Sequence, residues 1–266
     1  MEFLLYVLLT IYFSFFILKW VIEPAYMLLF NKPLYVHFYL FPKKMDESGK
    51  AVLRGNFAFY RNLSPLRKTY FEHRVLSFIE KYMFIGRNEL IVTDELKIKI
   101  AATSIMLSFG MRKYLLSVFE GIIIYPEAFE SAGGVLHKGE FNPSAKVVVF
   151  SWKDFEEGLA FDNDNINLGL HEFAHVLHFD SVSRRRPGSS GIIFIDAYKE
   201  IMAFIADPDK RQRLQESNYL RLYAYTNQFE FIAVTLEYFF ETPHEFNQKQ
   251  PELYEMVKKM INFREE

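Results

Sequence analysis

The chain of 266 residues contains no cysteine, and it has only 12 glycines and 10 prolines. Without cysteine there is no disulfide framework, no thiolate metal ligand and no cysteine nucleophile. The 31 basic residues nearly balance the 33 acidic ones, so the composition gives no basic footprint for nucleic-acid binding. Half of the residues are hydrophobic and 18% are aromatic. That content is enough to bury the core of one large globular domain.

A long apolar stretch opens the sequence. Residues 3–22 carry one charge, Lys19, and no glycine or proline. A helix of about 20 residues covers the ~30 Å hydrocarbon core of a bilayer. Lys19 and Trp20 lie near its end, where a lysine and a tryptophan suit the membrane interface. The pattern predicts a transmembrane anchor over residues 1–22 that contacts lipid through residues 3–22.

Two other interpretations of this stretch are a secretory signal peptide and a buried helix of a globular protein. A signal peptide has a basic start and a cleavage site of small residues. This stretch instead begins with Glu2 and ends in the bulky Val21 and Ile22. Lysines and arginines follow the stretch and none precedes it. The positive-inside rule therefore predicts a single-pass protein of the inner (cytoplasmic) membrane, with the remaining chain in the cytoplasm.

The rest of the chain divides into a connector and a globular domain. Residues 25–42 are rich in aromatics but too short and too interrupted for a second span. A polar loop is expected over residues 43–50. We therefore expect a juxtamembrane connector at 23–54 and a globular domain at 55–266, with no internal repeat.

Hydrophobic periodicity predicts a helix-dominated α+β domain with a small sheet. Arg184, Arg185 and Arg186 are expected in a charged loop over 182–191. Strands are expected at 121–126 and 146–152. Helices are expected at 65–84, 94–109, 167–179, 193–207, 210–222, 227–241 and 251–263.

The string His171-Glu172-Phe173-Ala174-His175 carries the chemistry. Two histidines four residues apart lie on one face of a helix, so both imidazoles can reach one metal ion. Glu172 lies at the edge of that face and can reach a water on the metal without being a ligand. This is the physical content of the H-E-x-x-H zinc signature. The surrounding residues are apolar, so the two histidines lie on a buried helix and need partners.

A catalytic zinc needs a third protein ligand, which must be histidine, aspartate or glutamate here. His178 follows His175 by three residues but lies seven from His171, so it fits one site poorly. Glu230 and Glu237 lie seven residues apart on one face of an otherwise apolar helix. Buried carboxylates need a metal, a donor or a cation. Spacing alone does not choose between the two glutamates.

Several segments together resemble the Mlc titration factor A family. They are LHEFAH, the preceding KVVVFSW, the later YAYTNQFEFIAVTLEYFF, and the phrases IKIAATSIMLSFG and IIIYPEAF. The likeness runs from about residue 65 to the C-terminus. Members of this family are gluzincin-type zinc peptidases whose active site is like that of the anthrax lethal factor catalytic domain. The resemblance thus implies a zincin-like metallopeptidase domain that follows the predicted transmembrane helix.

Carried over by residue, the resemblance implies the zinc ligands His171, His175 and Glu230. It makes Glu172 the general base and Tyr223 a residue that steadies the oxyanion. Glu237 is implied to orient a ligand histidine.

Two features depart from the family pattern. His178 stands where the family commonly has aspartate, a difference for which Asp180 is a candidate substitute. The better-known members are soluble, so their partner, the transcriptional repressor Mlc, is not carried over to a chain with a predicted anchor. A regulatory protein partner remains an expectation.

The sequence thus predicts a Zn²⁺-dependent peptidase that hydrolyses peptide bonds of a peptide or protein substrate with a metal-activated water. The alternative is a zinc-bearing regulatory module that binds a protein partner with little or no proteolysis. A structural zinc has no use for a general base. Glu172 therefore favours the enzyme.

Overall fold

Helices surround a small sheet in the computed structural model, which describes residues 2–130, 134, 136–160, 163–183 and 190–264. The helices before the strand-rich region are α1 (Glu2–Ile17), α2 (Glu23–Phe30), α3 (Glu47–Asn56), α4 (Ala58–Arg61), α5 (Pro65–Lys81) and α6 (Asp94–Ser108). Those after it are α7 (Trp152–Ala160), α8 (Leu168–Ser183), α9 (Ser190–Ala206), α10 (Pro208–Glu216), α11 (Gln228–Glu241), α12 (Pro243–Lys249) and α13 (Pro251–Met260).

Four strands form the main sheet: β1 (Met83–Gly86), β2 (Gly121–Tyr125), β5 (Gly139–Asn142) and β6 (Val147–Ser151). Their order is β1-β2-β6-β5, so β6 is an inner strand and β5 is an edge strand. β1, β2 and β6 run parallel, whereas β5 runs antiparallel to β6. A separate two-stranded ribbon pairs β3 (Phe129–Glu130) with β4 (Leu136–His137).

The core lies between the sheet and the helices α5, α6, α8 and α11. Helix α6 is buried along nearly its whole length, which explains why its sequence shows little amphipathic alternation. Helix α8 packs between α6 and α11, so its histidine motif is presented from the interior of the domain. Ile122, Val148 and Phe150 fill the sheet side of this core.

The predicted helix-dominated α+β class with a small sheet is confirmed, and one apolar helix precedes the domain. That helix is continuous from Glu2 to Phe30, with a π-helical turn at Leu18–Ile22 between α1 and α2. By length and composition it is able to cross a membrane. Most of its side chains point outward.

Several predicted bounds of helices and loops are wrong. The expected polar loop at 43–50 is helical from Glu47, because Asp46 accepts a hydrogen bond from the Gly49 amide and caps α3. Leu53 of α3 is fully buried, and α3 packs on α6. The expected boundary at 54/55 therefore falls inside a packed helix.

The predicted helix at 210–222 is displaced towards the N-terminus. It begins earlier, at Pro208, because Asp207 accepts hydrogen bonds from the amides of Asp209 and Lys210. It ends at Glu216, just before Asn218 adopts a left-handed backbone conformation.

The structure also extends α8 to Ser183, beyond the expected end at residue 179, and begins α9 at Ser190. The first two residues of the expected arginine loop at 182–191 are therefore helical. Its three arginines, at 184–186, lie outside the described residues.

Candidate metal and catalytic site

The cap residue Asn167 fixes where α8 begins and thereby positions the two histidines of this helix. Asn167 accepts a hydrogen bond from the Leu170 amide, and its own side-chain amide donates to the Gly158 carbonyl. These bonds satisfy a helix N-terminus that is buried. Gly169 is required by packing, because a Cβ there would lie 2.5 Å from the Phe155 ring. The first turn of α8 therefore packs closely against α7.

Three side chains from α8 and α11 converge. His171 Nε2 lies 3.1 Å from His175 Nε2 and 2.9 Å from Glu230 Oε2. His175 Nε2 lies 3.6 Å from Glu230 Oε1. One ligand atom from each of the three lies within 4.8 Å of the others. Asn227 caps α11 through the amides of Phe229 and Glu230, which sets Glu230 in the first turn, facing α8.

These separations suit a shared cation. A tetrahedral ion bound at ~2.0–2.1 Å separates its ligand atoms by roughly 3.3 Å. The two imidazole nitrogens face each other at 3.1 Å, and Glu230 Oε2 is buried without a hydrogen bond of good geometry. Two imidazoles and a carboxylate form a donor set typical of Zn²⁺. By chemistry and by spacing, these residues fit the metal that the sequence predicts.

Glu237 occupies a different position from Glu230, although both lie on α11. It is 1% exposed, and its Oε1 lies 2.8 Å from His171 Nδ1. Arg221 donates to both of its oxygens, at 2.6 and 3.0 Å, and the Asn167 amide donates at 2.8 Å. A carboxylate on the outer nitrogen of an imidazole fixes the ring and its tautomer. His171 therefore turns Nε2 towards the cluster.

The close contacts among these side chains shift the pKa values of His171 and Glu230. Burial alone lowers the pKa of His171, but its close contacts with the carboxylates of Glu230 and Glu237 outweigh burial and raise that pKa to about 9. Burial opposes ionisation of Glu230, yet its contacts with His171 and His175 hold its pKa well below the usual range. The two carboxylates therefore favour positive charge beside them. A cation supplies such charge, and its binding to an imidazole requires the proton to leave.

Glu172 lies beside the cluster and under the sheet edge. It is 7% exposed, and burial raises its pKa, with the nearby histidines opposing that shift. A Cβ at Gly139 of β5 would lie 2.7 Å from Glu172 Cγ and 2.8 Å from Glu172 Oε1. The edge strand can approach this carboxylate only because position 139 lacks a side chain. A raised pKa moves a carboxylate towards the range useful for general base catalysis.

Tyr223 stands at the open side of the cluster in the 3-10 turn Leu222–Tyr225. Its ring centroid lies 5.8 Å from that of His171, and the residue is 50% exposed. Burial of its hydroxyl and the charge of Glu230 raise its pKa to about 12. The phenol therefore keeps its proton near neutral pH and is able to donate a hydrogen bond.

A cleft of about 580 Å³ opens over the site. It is lined by His171, Glu172 and Tyr223 and by residues 136–139, which run from β4 into β5. Its volume lies in the range of small-ligand pockets. The cleft thus brings an edge strand, a buried carboxylate and a tyrosine to one space.

His178 does not join the cluster. Its ring packs against Tyr198, Phe229 and Phe194, at 4.6, 5.0 and 6.0 Å between centroids. Burial lowers its pKa to about 4, with the charge of His175 acting in the same direction. Asp180 points elsewhere, since it accepts a hydrogen bond from the Ser117 amide. His178 is therefore a packed, neutral side chain, as the seven-residue spacing from His171 suggests.

Sequence reasoning missed three contributors: Arg221, Asn167 and Gly139. Arg221 follows no ligand-spacing rule, and only its position two residues before Tyr223 hinted at it. Asn167 is a helix cap, a role common enough to pass unnoticed. Gly139 belongs to a strand of four residues that shows no apolar alternation.

Comparison with known proteins gives a consistent result. The family model for glucose-regulated metallo-peptidase M90 matches residues 39–262. "Uncharacterized protein slr2042" of Synechocystis is 27% identical over 236 residues, which cover 83% of this chain and 85% of that protein.

Other relatives carry a functional name. "Mlc titration factor A" of Pectobacterium atrosepticum is 24% identical over 229 residues, covering 74% of this chain and 80% of that protein. The protein of the same name from Yersinia pestis (strain Pestoides F) is 25% identical over 197 residues, covering 66% and 70%. Since the family model spans most of the chain, including the histidine motif, Glu230 and Glu237, this protein belongs to the glucose-regulated metallo-peptidase M90 family.

Proposed function

We propose that this protein is a zinc peptidase of the gluzincin type, with His171, His175 and Glu230 as ligands and Glu172 as the general base. The observation that carries the proposal is the convergence of three ligand atoms within 4.8 Å beside a buried fourth carboxylate. Family membership supports peptidase chemistry and a metal ion. The donor set favours zinc among the common ions.

Each residue has a distinct task in peptide hydrolysis. A bound Zn²⁺ supplies a Lewis acid for the scissile carbonyl and lowers the pKa of a water towards ~7. Glu172 accepts a proton from the water as the water oxygen attacks the carbonyl carbon. It then returns that proton to the amine as the C–N bond breaks. Tyr223 donates a hydrogen bond to the oxygen on which negative charge develops.

The edge strand β5 offers a way to hold the substrate. An extended peptide can add to an exposed sheet edge through backbone hydrogen bonds. The inner strand β6 has β2 and β5 as neighbours, so β5 is the edge beside the cleft. A peptide aligned on β5 would run along the cleft and past Glu172. Gly139 keeps that path free of a side chain at its closest approach.

The proposal includes the membrane. Helix Glu2–Phe30 anchors the protein in a bilayer, and the lysines that follow it favour a catalytic domain in the cytoplasm. The relatives from Pectobacterium atrosepticum and Yersinia pestis are among those named for titration of Mlc, which supports a protein partner as an additional feature of this chain. Binding a partner does not require a buried carboxylate beside a metal cluster, so hydrolysis remains the favoured activity.

The test compares metal content with hydrolysis of short chromogenic peptides by the full-length protein. Wild type is expected to hydrolyse them, to lose activity with a chelator and to regain it with Zn²⁺. Glu172→Gln is expected to keep its metal and lose activity by a factor of about 100 to 10,000. Glu157→Gln, an exposed carboxylate lining the same cleft, is the matched control. Full activity in Glu172→Gln would contradict the proposal.

A further inference from the structure

The chain that leaves the N-terminal helix exposes an unusual row of large apolar side chains. Phe41 is 92% exposed and Leu28 is 86% exposed. We call residues 28–41 the interface segment. Its exposed apolar members are Leu28, Leu29, Phe30, Leu34, Tyr35, Phe38, Leu40 and Phe41. Large exposed apolar surfaces on a folded protein mark a contact with a partner or a membrane.

The inner side of this segment is fixed to the domain by one buried cation. Arg74 of α5 is fully buried, and its guanidinium donates to the Val36 carbonyl at 3.2 Å and the Tyr39 hydroxyl at 2.7 Å. The same group donates to the carbonyls of Ser108, Phe109 and Met111 at the end of α6. His37 stacks on Tyr70 at 4.9 Å. The segment is therefore part of the domain surface, and its apolar side chains are held outward.

The helix end is fixed as well. Glu23 is buried and pairs with Arg112, whose guanidinium also lies 5.0 Å from the Tyr35 ring centroid. Met27 is buried one turn later. The N-terminal helix is thus joined to the domain by packing and by an ion pair.

Length places the segment at the level of lipid headgroups. The helix Glu2–Phe30 has 29 residues and therefore measures about 43 Å. A bilayer with its headgroup regions is about 40–45 Å thick. A helix that crosses it ends where the headgroups end. Asn31 then takes a left-handed conformation, φ 50°, and turns the chain away from the helix axis.

We infer that the interface segment is a second membrane contact, inserted among the lipid headgroups of the leaflet from which the helix emerges. The segment contacts the bilayer, because its row of exposed apolar side chains continues directly from the apolar helix. Lys32 lies within this segment and Lys44 follows it, and both exposed lysines suit anionic phospholipid. Of the described residues that line the cleft, none belongs to this segment. The contact therefore leaves the cleft open, and the inference rests on the membrane anchoring proposed above.

The absence of cysteine makes the test direct. Single cysteines are introduced in the full chain at Leu40, Leu8 and Ile91, labelled with an environment-sensitive fluorophore, and reconstituted in vesicles of phosphatidylcholine and phosphatidylglycerol. Acyl-chain bromines at shallow and deep positions then report depth by quenching. Ile91 is the aqueous control, because it is 80% exposed and precedes α6, whereas the Arg74 contacts lie at the far end of α6.

The three positions separate the outcomes. Leu8 is expected to be quenched by deep bromines, Leu40 by shallow bromines several-fold more than Ile91, and Ile91 hardly at all. A Leu40 probe that behaves like Ile91 while Leu8 is quenched overturns the inference and leaves the anchor intact. A Leu8 probe in water overturns the anchor and the inference together.

A charge variant provides a second readout. Phe41→Glu in the Leu40→Cys background is expected to reduce shallow quenching several-fold, whereas Ile91→Glu in that background leaves it unchanged. Both residues are exposed, so neither change removes a core contact. Quenching that is insensitive to Phe41→Glu contradicts insertion of the segment.

Discussion

The cleft and the N-terminal region of this protein are built in opposite ways. In the cleft, Glu172 and Glu237 are buried, and Arg221 donates hydrogen bonds to both oxygens of Glu237. In the N-terminal region, the apolar side chains of residues 3–22 and 28–41 point outward. Buried charge and exposed apolar surface both cost free energy in water, so each is informative. The first suits a bound cation, and the second suits a bilayer.

Removing one imidazole should have the largest effect on the cleft. We expect His175→Ala to lose both bound metal and peptide hydrolysis, because it leaves only one imidazole and one carboxylate. Metal analysis and peptide assays on the same preparation check this. His178→Ala is the control, since His178 packs against aromatic rings outside the cluster. A His175→Ala variant that keeps its metal would contradict the assignment of His175 as a ligand, and with it the account of the cleft.

Tyr223→Phe should reduce turnover without affecting metal. Loss of one oxyanion donor costs a factor of about 100 to 1,000 in kcat. We expect KM to change little, because the phenol acts on charge that develops during the reaction. Steady-state kinetics with metal analysis separate these terms. An increase in KM with kcat unchanged would show that Tyr223 binds substrate in its ground state instead.

Glu237→Gln should weaken metal binding while leaving all three proposed ligands present. Loss of a carboxylate that orients a ligand histidine typically costs a factor of about 10 to 100 in affinity. Arg221 is then left without its bidentate partner. Competition with a chromogenic chelator measures the affinity. An unchanged affinity would remove the orienting role that the 2.8 Å contact with His171 suggests.

Glu241, one turn beyond Glu237, tests the energetic cost of buried charge. Burial raises its pKa to about 8, with the charges of Glu237 and Asp164 adding to the shift. Its folded pKa therefore exceeds the unfolded value of 4.5, so stability falls as pH rises from 4.5 towards 8.

The slope for this one group is at most ~1.4 kcal/mol per pH unit. Glu241→Gln should remove it and stabilise the protein by about 1–3 kcal/mol at pH 8, as measured by denaturant unfolding. An identical pH dependence in wild type and Glu241→Gln would contradict this assignment.

The smallest effect is expected for an exposed residue of the interface segment, and it tests whether that side chain packs against protein. Phe41→Ser should change the free energy of unfolding in detergent by less than about 0.5 kcal/mol, because the side chain is exposed. The matched core change Phe173→Ala should cost about 3–5 kcal/mol. Denaturant unfolding in one detergent measures both. A comparable cost at position 41 would show that Phe41 packs against protein.

The sequence predicted the parts of the site that depend on helical spacing. His171 and His175 lie one turn apart, so their shared face follows from the pitch of a helix. The choice between Glu230 and Glu237 did not follow, because residues seven apart share a face. It depends on where α11 crosses α8 and on Arg221, which reaches Glu237 from another segment. Such contacts are tertiary and leave no local pattern.

The same distinction between local patterns and tertiary contacts explains which elements of the fold were predicted. The strand β6 was predictable from its β-branched residues, and α8 from its motif. The edge strand β5 was missed because Gly139-Glu140-Phe141-Asn142 has no strand signature apart from its pairing with β6. The start of α3 was missed because Ser48, Gly49 and Lys50 are typical of a loop. Its cap at Asp46 and its packing on α6 override that local preference.

The most direct measurement is X-ray absorption at the bound metal in wild type and Glu230→Ala, with metal content and activity determined on the same samples. Wild type should contain one zinc per chain, with two imidazoles and one carboxylate oxygen at about 2.0–2.1 Å. Glu230→Ala should lose most of the metal and the activity. A Glu230→Ala variant with the same metal content, the same coordination and undiminished activity would contradict the account.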